Sequence, residues 1–222
     1  MKTLALFDLD NTLLSGDSDY AWGQYLIDQG VVDRQQYETQ NDAFYTQYKQ
    51  GSLDIHAFLA FALAPLAQHS PEQLAQWHRQ FMREYIHPIM GEAAKALVRQ
   101  HLDAGHLCAI ITATNDFVTA PIASAFGVPH LIATLAERDG ARFTGRAAGI
   151  PCFREGKIQN LHDWLARKNL SLDSLARSYF YSDSMNDLPL LEKVSHPVAT
   201  NPDDRLRKEA QMRDWPILEL FA

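Results

Sequence analysis

The hydrophobic and polar positions of the chain follow two patterns, and each predicts a different kind of element. Residues 3–8 form a short apolar run that ends in polar residues, as expected for a buried parallel strand. From about residue 18 to residue 86, apolar residues recur at helical spacing, most regularly in residues 74–85. Ser70 and Pro71 supply a start signal for that last helix, because serine caps helices and proline suits their first position. The pattern therefore predicts one strand followed by a long helical stretch.

After residue 87 the chain alternates between strand-like and helix-like segments. Asp139-Gly140, between two apolar runs, is a strong signal for a hairpin turn. Strands that alternate with helices predict an α/β fold with a doubly wound parallel sheet. The predicted elements are, in chain order, helix 93–104, strand 107–111, helix 116–126, hairpin strands 130–135 and 142–145, helix 158–168, strand 178–182, helix 186–193, strand 196–199, helix 203–212 and strand 215–218.

The two patterns also predict how the chain divides into domains. We expect residues 1–13 and 87–222 to form the α/β core, and residues 14–86 to form an inserted helical cap. An excursion of about 70 residues is too long to be a loop in a compact domain. The insert begins just after the first strand, and ligands of open α/β sheets bind at the carboxyl ends of strands. It is therefore placed to act as a lid.

The amino-acid composition limits which binding partners and which cellular compartment are expected. With 222 residues of which 46% are hydrophobic, the chain can bury a core, and a disordered protein is excluded. A net charge of −7 makes nucleic acid and anionic membranes poor partners. Cys108 and Cys152 are the only cysteines, too few for a disulfide scaffold or a cysteine-rich zinc module. Because the sequence has neither a signal-peptide pattern nor a long apolar run, we expect a soluble, cytoplasmic protein.

Polar side chains follow three predicted strands at the points where the strands end. Asp8 and Asp10 follow the first strand, the segment 112–115 follows the second, and the acidic segment 183–187 follows a later one. Lys157 lies at the start of a helix between them. If the sheet is parallel, these groups converge at one edge.

Such a cluster suits phosphoryl transfer. Neighbouring carboxylates raise one another's pKa unless a cation lies among them, and oxygen ligands without His or Cys favour Mg²⁺. Lys157 and Thr112 are suited to hold the phosphate oxygens. One carboxylate can attack phosphorus, which gives an aspartyl-phosphate. A second carboxylate two residues later can protonate the leaving oxygen and then activate water.

These motifs resemble those of the haloacid dehalogenase superfamily of phosphatases. Asp8-Leu9-Asp10-Asn11-Thr12 resembles its D-x-D-x-T signature, and Thr112, Lys157 and the segment 183–187 (D-S-x-x-D) resemble its second, third and fourth motifs in the same order. Helices inserted after the first motif resemble the phosphoserine phosphatase-like subfamily, which includes a bacterial branch often assigned to histidinol phosphate. The resemblance implies a Rossmann-like sheet with a helical cap. It also implies Mg²⁺-dependent hydrolysis of a small-molecule phosphate monoester.

The resemblance also implies a role for each matched residue. Asp8 would be the nucleophile, and Asp10 the general acid and base. The Mg²⁺ ligands would be the side chains of Asp8 and Asp183 and the backbone carbonyl of Asp10. Asp187 would not bind the metal directly but would orient water or Lys157, and Asn186 would lie next to it. Alternatively, Asp187 merely caps the short helix. The transferring phosphoryl group would be held by Thr112, Ala113 and Lys157.

Two further carboxylates, Asp17 and Asp19, bear on the choice of substrate. Asp17 lies nine residues after Asp8. In phosphoserine phosphatases, the corresponding position holds a Glu that contacts the amine of the substrate. Asp17 and Asp19 therefore suit a substrate with a cationic amino or imidazole group, although either could instead cap the following helix. The segment 51–62 lacks the Arg with which that subfamily binds the substrate carboxylate. Histidinol phosphate is thus favoured over phosphoserine.

Two other functions share the same residues. A phosphotransferase would pass the phosphoryl group from Asp8 to an alcohol instead of water. A non-enzymatic phospho-aspartate switch would also use an acidic cluster, a threonine and a lysine, but Asp10 and the long insert argue against it. The sequence does not determine the oligomeric state.

Overall fold

A seven-stranded sheet forms the centre of the structure, a computed structural model that describes residues 2–221. The strand order is β4-β3-β2-β1-β5-β6-β7, and all neighbouring strands are parallel except β3 and β4, which form an antiparallel hairpin. The predicted α/β class and doubly wound parallel sheet are confirmed. The strands are β1 (Thr3–Phe7), β2 (Leu107–Asn115), β3 (Leu131–Asp139), β4 (Arg142–Ala148), β5 (Arg177–Ser182), β6 (His196–Thr200) and β7 (Ile217–Leu218).

Helices cover both faces of the sheet. Successive residues of a strand point to opposite faces, so Phe7 lies in one buried cluster and Leu6 in the other. The Phe7 cluster includes α1, α5 and α6, and the Leu6 cluster includes α7, α8 and α9. The helices are α1 (Ser18–Asp28), α2 (Arg34–Gln50), α3 (Ile55–Ala67), α4 (Pro71–Phe81), α5 (Glu92–Asp103), α6 (Asp116–Ala125), α7 (Glu155–Ala166), α8 (Leu188–Leu191) and α9 (Asp204–Met212).

Helices α1–α4 occupy the predicted insert and pack against the sheet domain. The start of α4 is as predicted, because the Ser70 hydroxyl accepts a hydrogen bond from the Gln73 backbone N–H at 3.3 Å. Gly145 of β4 adopts a positive φ of 79°, and a Cβ there would lie 3.1 Å from that of Ala67, so β4 approaches α3 closely. Residues of α1, α3 and α4 share a buried cluster with Phe7. The assignment of residues 14–86 to a separate cap domain stays a prediction.

Several element boundaries differ from the prediction. Strand β2 continues to Asn115 rather than ending at residue 111, because a bulge between Thr112 and Asn115 lets it follow β3 further. The last strand has only two residues, since only Ile217 and Leu218 pair with β6. The predicted helix over 186–193 is a short 3₁₀ turn followed by the four-residue α8. No helix within residues 2–221 is long and apolar enough to cross a bilayer.

Candidate active site

The predicted polar residues converge at the carboxyl ends of the central strands. Asp8 follows β1 directly, Thr112 lies near the end of β2, and Asp183 follows β5 directly. Lys157 lies in the first turn of α7 and reaches the same place. Asp8 is 4% exposed and Lys157 is 2% exposed, so water scarcely reaches their charges. The topology of a parallel sheet accounts for this convergence.

Lys157 is held between two carboxylates. Its Nζ donates hydrogen bonds to Asp8 Oδ1 and to Asp187 Oδ2, both at 2.7 Å, and the Ser182 hydroxyl donates to the same oxygen of Asp187 at 2.7 Å. Burial alone would lower the pKa of Lys157, but Asp187 and Asp8 outweigh it and raise that pKa above its usual range. Asp187 makes no capping hydrogen bond to α8, so the capping interpretation is wrong. Its carboxylate accepts a hydrogen bond from Lys157 instead.

A threonine hydroxyl links the carboxylates of the first and last motifs. Thr12 Oγ1 lies 3.3 Å from Asp8 Oδ2 and 3.0 Å from Asp183 Oδ1, within reach to donate to either. It also accepts a hydrogen bond from the Asp183 backbone N–H at 3.0 Å. Burial raises the pKa of Asp8 to about 7, against the lowering effect of Lys157. Burial raises the pKa of Asp183 as well, and the nearby charges of Asp8 and Asp187 add to the rise.

This donor set fits a hard divalent cation. Lys157 pairs with the buried carboxylates of Asp8 and Asp187, and Thr12 links the third buried carboxylate, that of Asp183, to Asp8. Three acidic groups and one ammonium leave excess negative charge in a dry site. The side chains and carbonyls available are oxygen donors, as Mg²⁺ prefers. The predicted set of Asp8, Asp183 and the Asp10 carbonyl contains only two acidic side chains. Residues 2–221 contain no group of three or more His, Cys, Asp or Glu side chains placed to bind a metal, and the predicted ligand set stays a prediction.

Asp10 is fixed by two hydrogen bonds that connect it to the helical insert and to β2. Its Oδ1 accepts from the Ser18 backbone N–H, at the start of α1, at 2.6 Å. Its Oδ2 accepts from the Thr114 hydroxyl at 2.8 Å. Burial raises the pKa of Asp10 to about 7, the range in which a carboxyl group can both give and take a proton near neutral pH. Thr114 is a site residue that the sequence analysis missed, since only the folded chain shows that it reaches Asp10.

The end of β2 supplies the predicted phosphate-binding residues. Thr112 and Ala113 line the same pocket as Asp8 and Asp10. The Thr114 backbone N–H donates to Thr112 Oγ1 at 3.2 Å, and the Thr134 hydroxyl donates to the Ala113 carbonyl at 2.8 Å. These bonds hold the bulged strand end in one conformation.

Asp17 and Asp19 both line the pocket, but their hydrogen bonding differs. Asp17 caps α1, since its Oδ1 accepts from the backbone N–H groups of Asp19 at 3.0 Å and Tyr20 at 2.9 Å. The capping interpretation is thus correct for Asp17. Asp19 is 9% exposed, and its Oδ2 has no hydrogen-bond partner among the described residues. Burial raises the pKa of both carboxylates, most strongly that of Asp19.

The remaining pocket wall is mostly apolar and comes from the inserted helices. The pocket holds about 560 Å³ of empty space, its open mouth included. The sequence analysis missed this wall, although residues 41, 44, 45 and 48 share one face of a helix by their spacing. Its residues are Tyr20, Asn41, Phe44, Tyr45, Tyr48, Leu53, Ile55 and Phe58.

Asn186 and Arg154 connect the carboxyl-terminal end of α2 to the sheet domain. The Asn186 side-chain amide donates to the Tyr48 carbonyl at 3.1 Å. Arg154 Nη2 donates to the Gly51 carbonyl and, at 3.2 Å, to Asn186 Oδ1. Asn186 therefore contacts the inserted segment, and Arg154 is a second residue at this junction that the sequence analysis missed.

Comparison with known proteins places these features in a family. Residues 5–192 match the model of haloacid dehalogenase-like hydrolases. The chain is 51% identical over 220 residues to a histidinol-phosphatase of Neisseria meningitidis serogroup C, covering 98% of this chain and 99% of that protein. A protein with unknown function from Bordetella pertussis Tohama I has a crystal structure that covers 100% of both chains, at 51% identity and a TM-score of 0.95. A substrate-bound phosphoserine phosphatase shares the fold at 16% identity and a TM-score of 0.71, covering 98% and 93% of the two chains.

Proposed function

The chain belongs to the haloacid dehalogenase-like hydrolase family and is a phosphatase, and we propose that it hydrolyses histidinol phosphate through an aspartyl-phosphate on Asp8 with the help of Mg²⁺. The observation that carries the proposal is the pairing of two differently held carboxylates in one pocket. Asp8 is bound to an ammonium, and Asp10, two residues on, is bound to an amide and a hydroxyl. Different environments for two carboxylates are the usual basis for different catalytic roles.

In the first step, an oxygen of Asp8 attacks phosphorus and the bond from phosphorus to the ester oxygen breaks. Lys157 favours the ionised form of Asp8 that this attack needs. Asp10 gives its proton to the departing alcohol oxygen. A pKa of about 7 leaves a substantial share of Asp10 protonated at neutral pH.

In the second step, water attacks phosphorus of the aspartyl-phosphate, and the bond from phosphorus to the Asp8 oxygen breaks. Asp10, now ionised, takes the proton from that water, so both groups return to their starting states. Thr112, Ala113 and Lys157 line or adjoin the place where the phosphoryl oxygens lie in both steps. Their donors stabilise the charge that develops on these oxygens.

The side chains of Asp8 and Asp183 and the carbonyl of Asp10 would hold the Mg²⁺ ion. When bound, the ion would neutralise part of the charge on the carboxylates and on the phosphoryl oxygens. Asp187, which accepts a hydrogen bond from the Ser182 hydroxyl, positions Lys157 against Asp8.

Two observations support histidinol phosphate as the substrate. The relative that shares 51% identity over nearly its whole length is a histidinol-phosphatase. In addition, Asp17 and Asp19 line the pocket, and no Arg, Lys or His of residues 2–221 does so. A cationic leaving group is attracted to such a wall, whereas the carboxylate of phosphoserine is repelled by it.

Steady-state kinetics on histidinol phosphate, phosphoserine and p-nitrophenyl phosphate test the proposal. We expect kcat/KM to be highest for histidinol phosphate, and phosphate release to proceed without an added alcohol acceptor. A higher kcat/KM for phosphoserine would refute the substrate assignment. Phosphate release that requires an alcohol would indicate a phosphotransferase, which uses the same Asp8 and Asp10.

A further inference from the structure

We propose that Asp19 accepts a hydrogen bond from a ring nitrogen of the substrate's imidazole, and that Phe44, Tyr45 and Phe58 form the slot that holds this ring. This inference rests on the proposed function and deepens it. It assigns the aromatic part of the leaving group to a defined subsite, separate from the residues around phosphorus.

The first observation is an unpartnered, buried acceptor. Asp19 is 9% exposed and lines the pocket, yet its Oδ2 has no hydrogen-bond partner within residues 2–221. A buried carboxylate without a partner is costly, so such a group in a pocket is expected to be satisfied by a ligand. Asp17 differs, because one of its oxygens already accepts two N–H groups of α1.

Two polar residues that line the pocket with Asp19 make hydrogen bonds to other groups. The Asn41 side-chain amide donates to the Tyr20 carbonyl at 3.2 Å. The Tyr20 hydroxyl lies 2.9 Å from Asp42 Oδ1, away from the pocket. No Arg, Lys or His of the described residues lines the pocket, so a positive or N–H-bearing group of the substrate is a suitable partner for Asp19.

The second observation is the shape and chemistry of the wall. Phe44 packs edge-on against Phe58, with ring centroids 5.5 Å apart, and Tyr45 packs against Tyr20 at 5.1 Å. Phe44, Tyr45 and Phe58 line the pocket, and their flat ring surfaces suit a flat group better than a branched aliphatic one. An imidazole ring gains aromatic stacking there, and its protonated form gains a cation–π attraction as well. A phosphate ester of an amino alcohol without a ring would leave the slot unfilled.

The test compares two esters on two proteins. The esters are histidinol phosphate and the phosphate of 2-amino-1-propanol, which keeps the amine and lacks the ring. The variant is Asp19→Asn, which removes the charge at nearly constant shape. Glu38→Gln is the matched control, since Glu38 is an exposed acid of α2 outside the pocket.

We expect Asp19→Asn to lower kcat/KM for histidinol phosphate by about 10–100-fold, mainly through KM, because a hydrogen bond to a charged group is lost. The ringless ester should change by less than about threefold on the same variant. Glu38→Gln should leave both esters unchanged. Equal losses on both esters, or no loss on histidinol phosphate, would overturn the role of Asp19.

Ring methylation gives a second test, and its decisive comparison uses the wild-type protein. Histidinol phosphate methylated at one or the other ring nitrogen should be a poorer wild-type substrate in at least one case, and Asp19→Asn should abolish that difference. Full wild-type activity on both methylated esters would overturn the proposal. If the wild-type protein does not prefer histidinol phosphate to the ringless ester, the proposed substrate itself fails. A preference that is undiminished in Asp19→Asn leaves the proposed substrate intact and refutes only the Asp19 subsite.

Discussion

Replacing Lys157 by methionine tests how the buried charges of the site balance. Lys157 donates to Asp8 and Asp187 at 2.7 Å each, and the side chains of all three residues are at most 6% exposed. Methionine keeps much of the volume and removes the charge, so two buried carboxylates lose their partner together. Removing one member of a buried ion pair costs about 3–5 kcal/mol, and we expect a loss of that size in the free energy of unfolding at pH 8.

The loss should depend on pH with a definite sign. Without the ammonium, burial and the nearby charge of Asp187 raise the pKa of Asp8 further above its value in the unfolded chain. The folded variant then binds more protons than the unfolded one, so its stability rises as the pH falls. While one extra proton is taken up, the stability deficit relative to wild type should shrink by about 1.4 kcal/mol per pH unit.

Urea unfolding followed by tryptophan fluorescence at pH 8 and pH 6 measures this effect. Lys208→Met is the control, because Lys208 is exposed on α9, and it should behave as wild type at both pH values. A Lys157→Met protein whose deficit is the same at pH 8 and pH 6 would refute the charge-balance reasoning. A variant as stable as wild type at pH 8 would also refute it.

Two further predictions concern the second carboxylate and a buried histidine away from the site. Asp10→Asn should lower kcat by about 10²–10⁴-fold, because the general acid and base is lost. In acid-quenched single turnovers it should also slow the loss of phosphate from Asp8, because no group then activates water. Unchanged turnover would contradict this role of Asp10. His101 contacts His106 and Tyr181 at 2.8 Å each, and burial lowers its pKa to about 4. Because the unfolded histidine titrates near 6.5, stability should fall as the pH drops from about 6.5 to 4, by at most about 3 kcal/mol. Urea unfolding should show a smaller fall for His101→Gln, and an equal fall would show that other groups cause it.

The arrangement of the acidic residues was predictable from the sequence because it follows from topology. Asp8, Thr112 and Asp183 each stand at the end of an apolar run, and a parallel sheet brings such ends together. Lys157 was predictable because it matches the third motif and lies between Thr112 and the segment 183–187 in the sequence. The bulge at Thr112 was not, since it depends on how β2 pairs with β3.

The residues that form the pocket wall could not be predicted from the hydrophobic pattern of the sequence. Phe44 and Tyr45 belong to an amphipathic stretch, but periodicity does not tell whether an apolar face covers a core or a ligand. That distinction depends on how α2 lies over the end of β1, which is a matter of tertiary packing. Likewise, only the three-dimensional structure shows that Asp19 Oδ2 has no hydrogen-bond partner among the described residues.

Finding the phosphoryl group on Asp8 would test the central claim most directly. The protein is mixed with substrate, quenched in acid within one turnover, digested and analysed by mass spectrometry. We predict a phosphorylated peptide with the modification on Asp8, stronger in Asp10→Asn and absent in Asp8→Asn, which should also be inactive. Phosphate released by an Asp8→Asn protein at the wild-type rate, or a phosphoryl group found on another residue instead, would contradict the account.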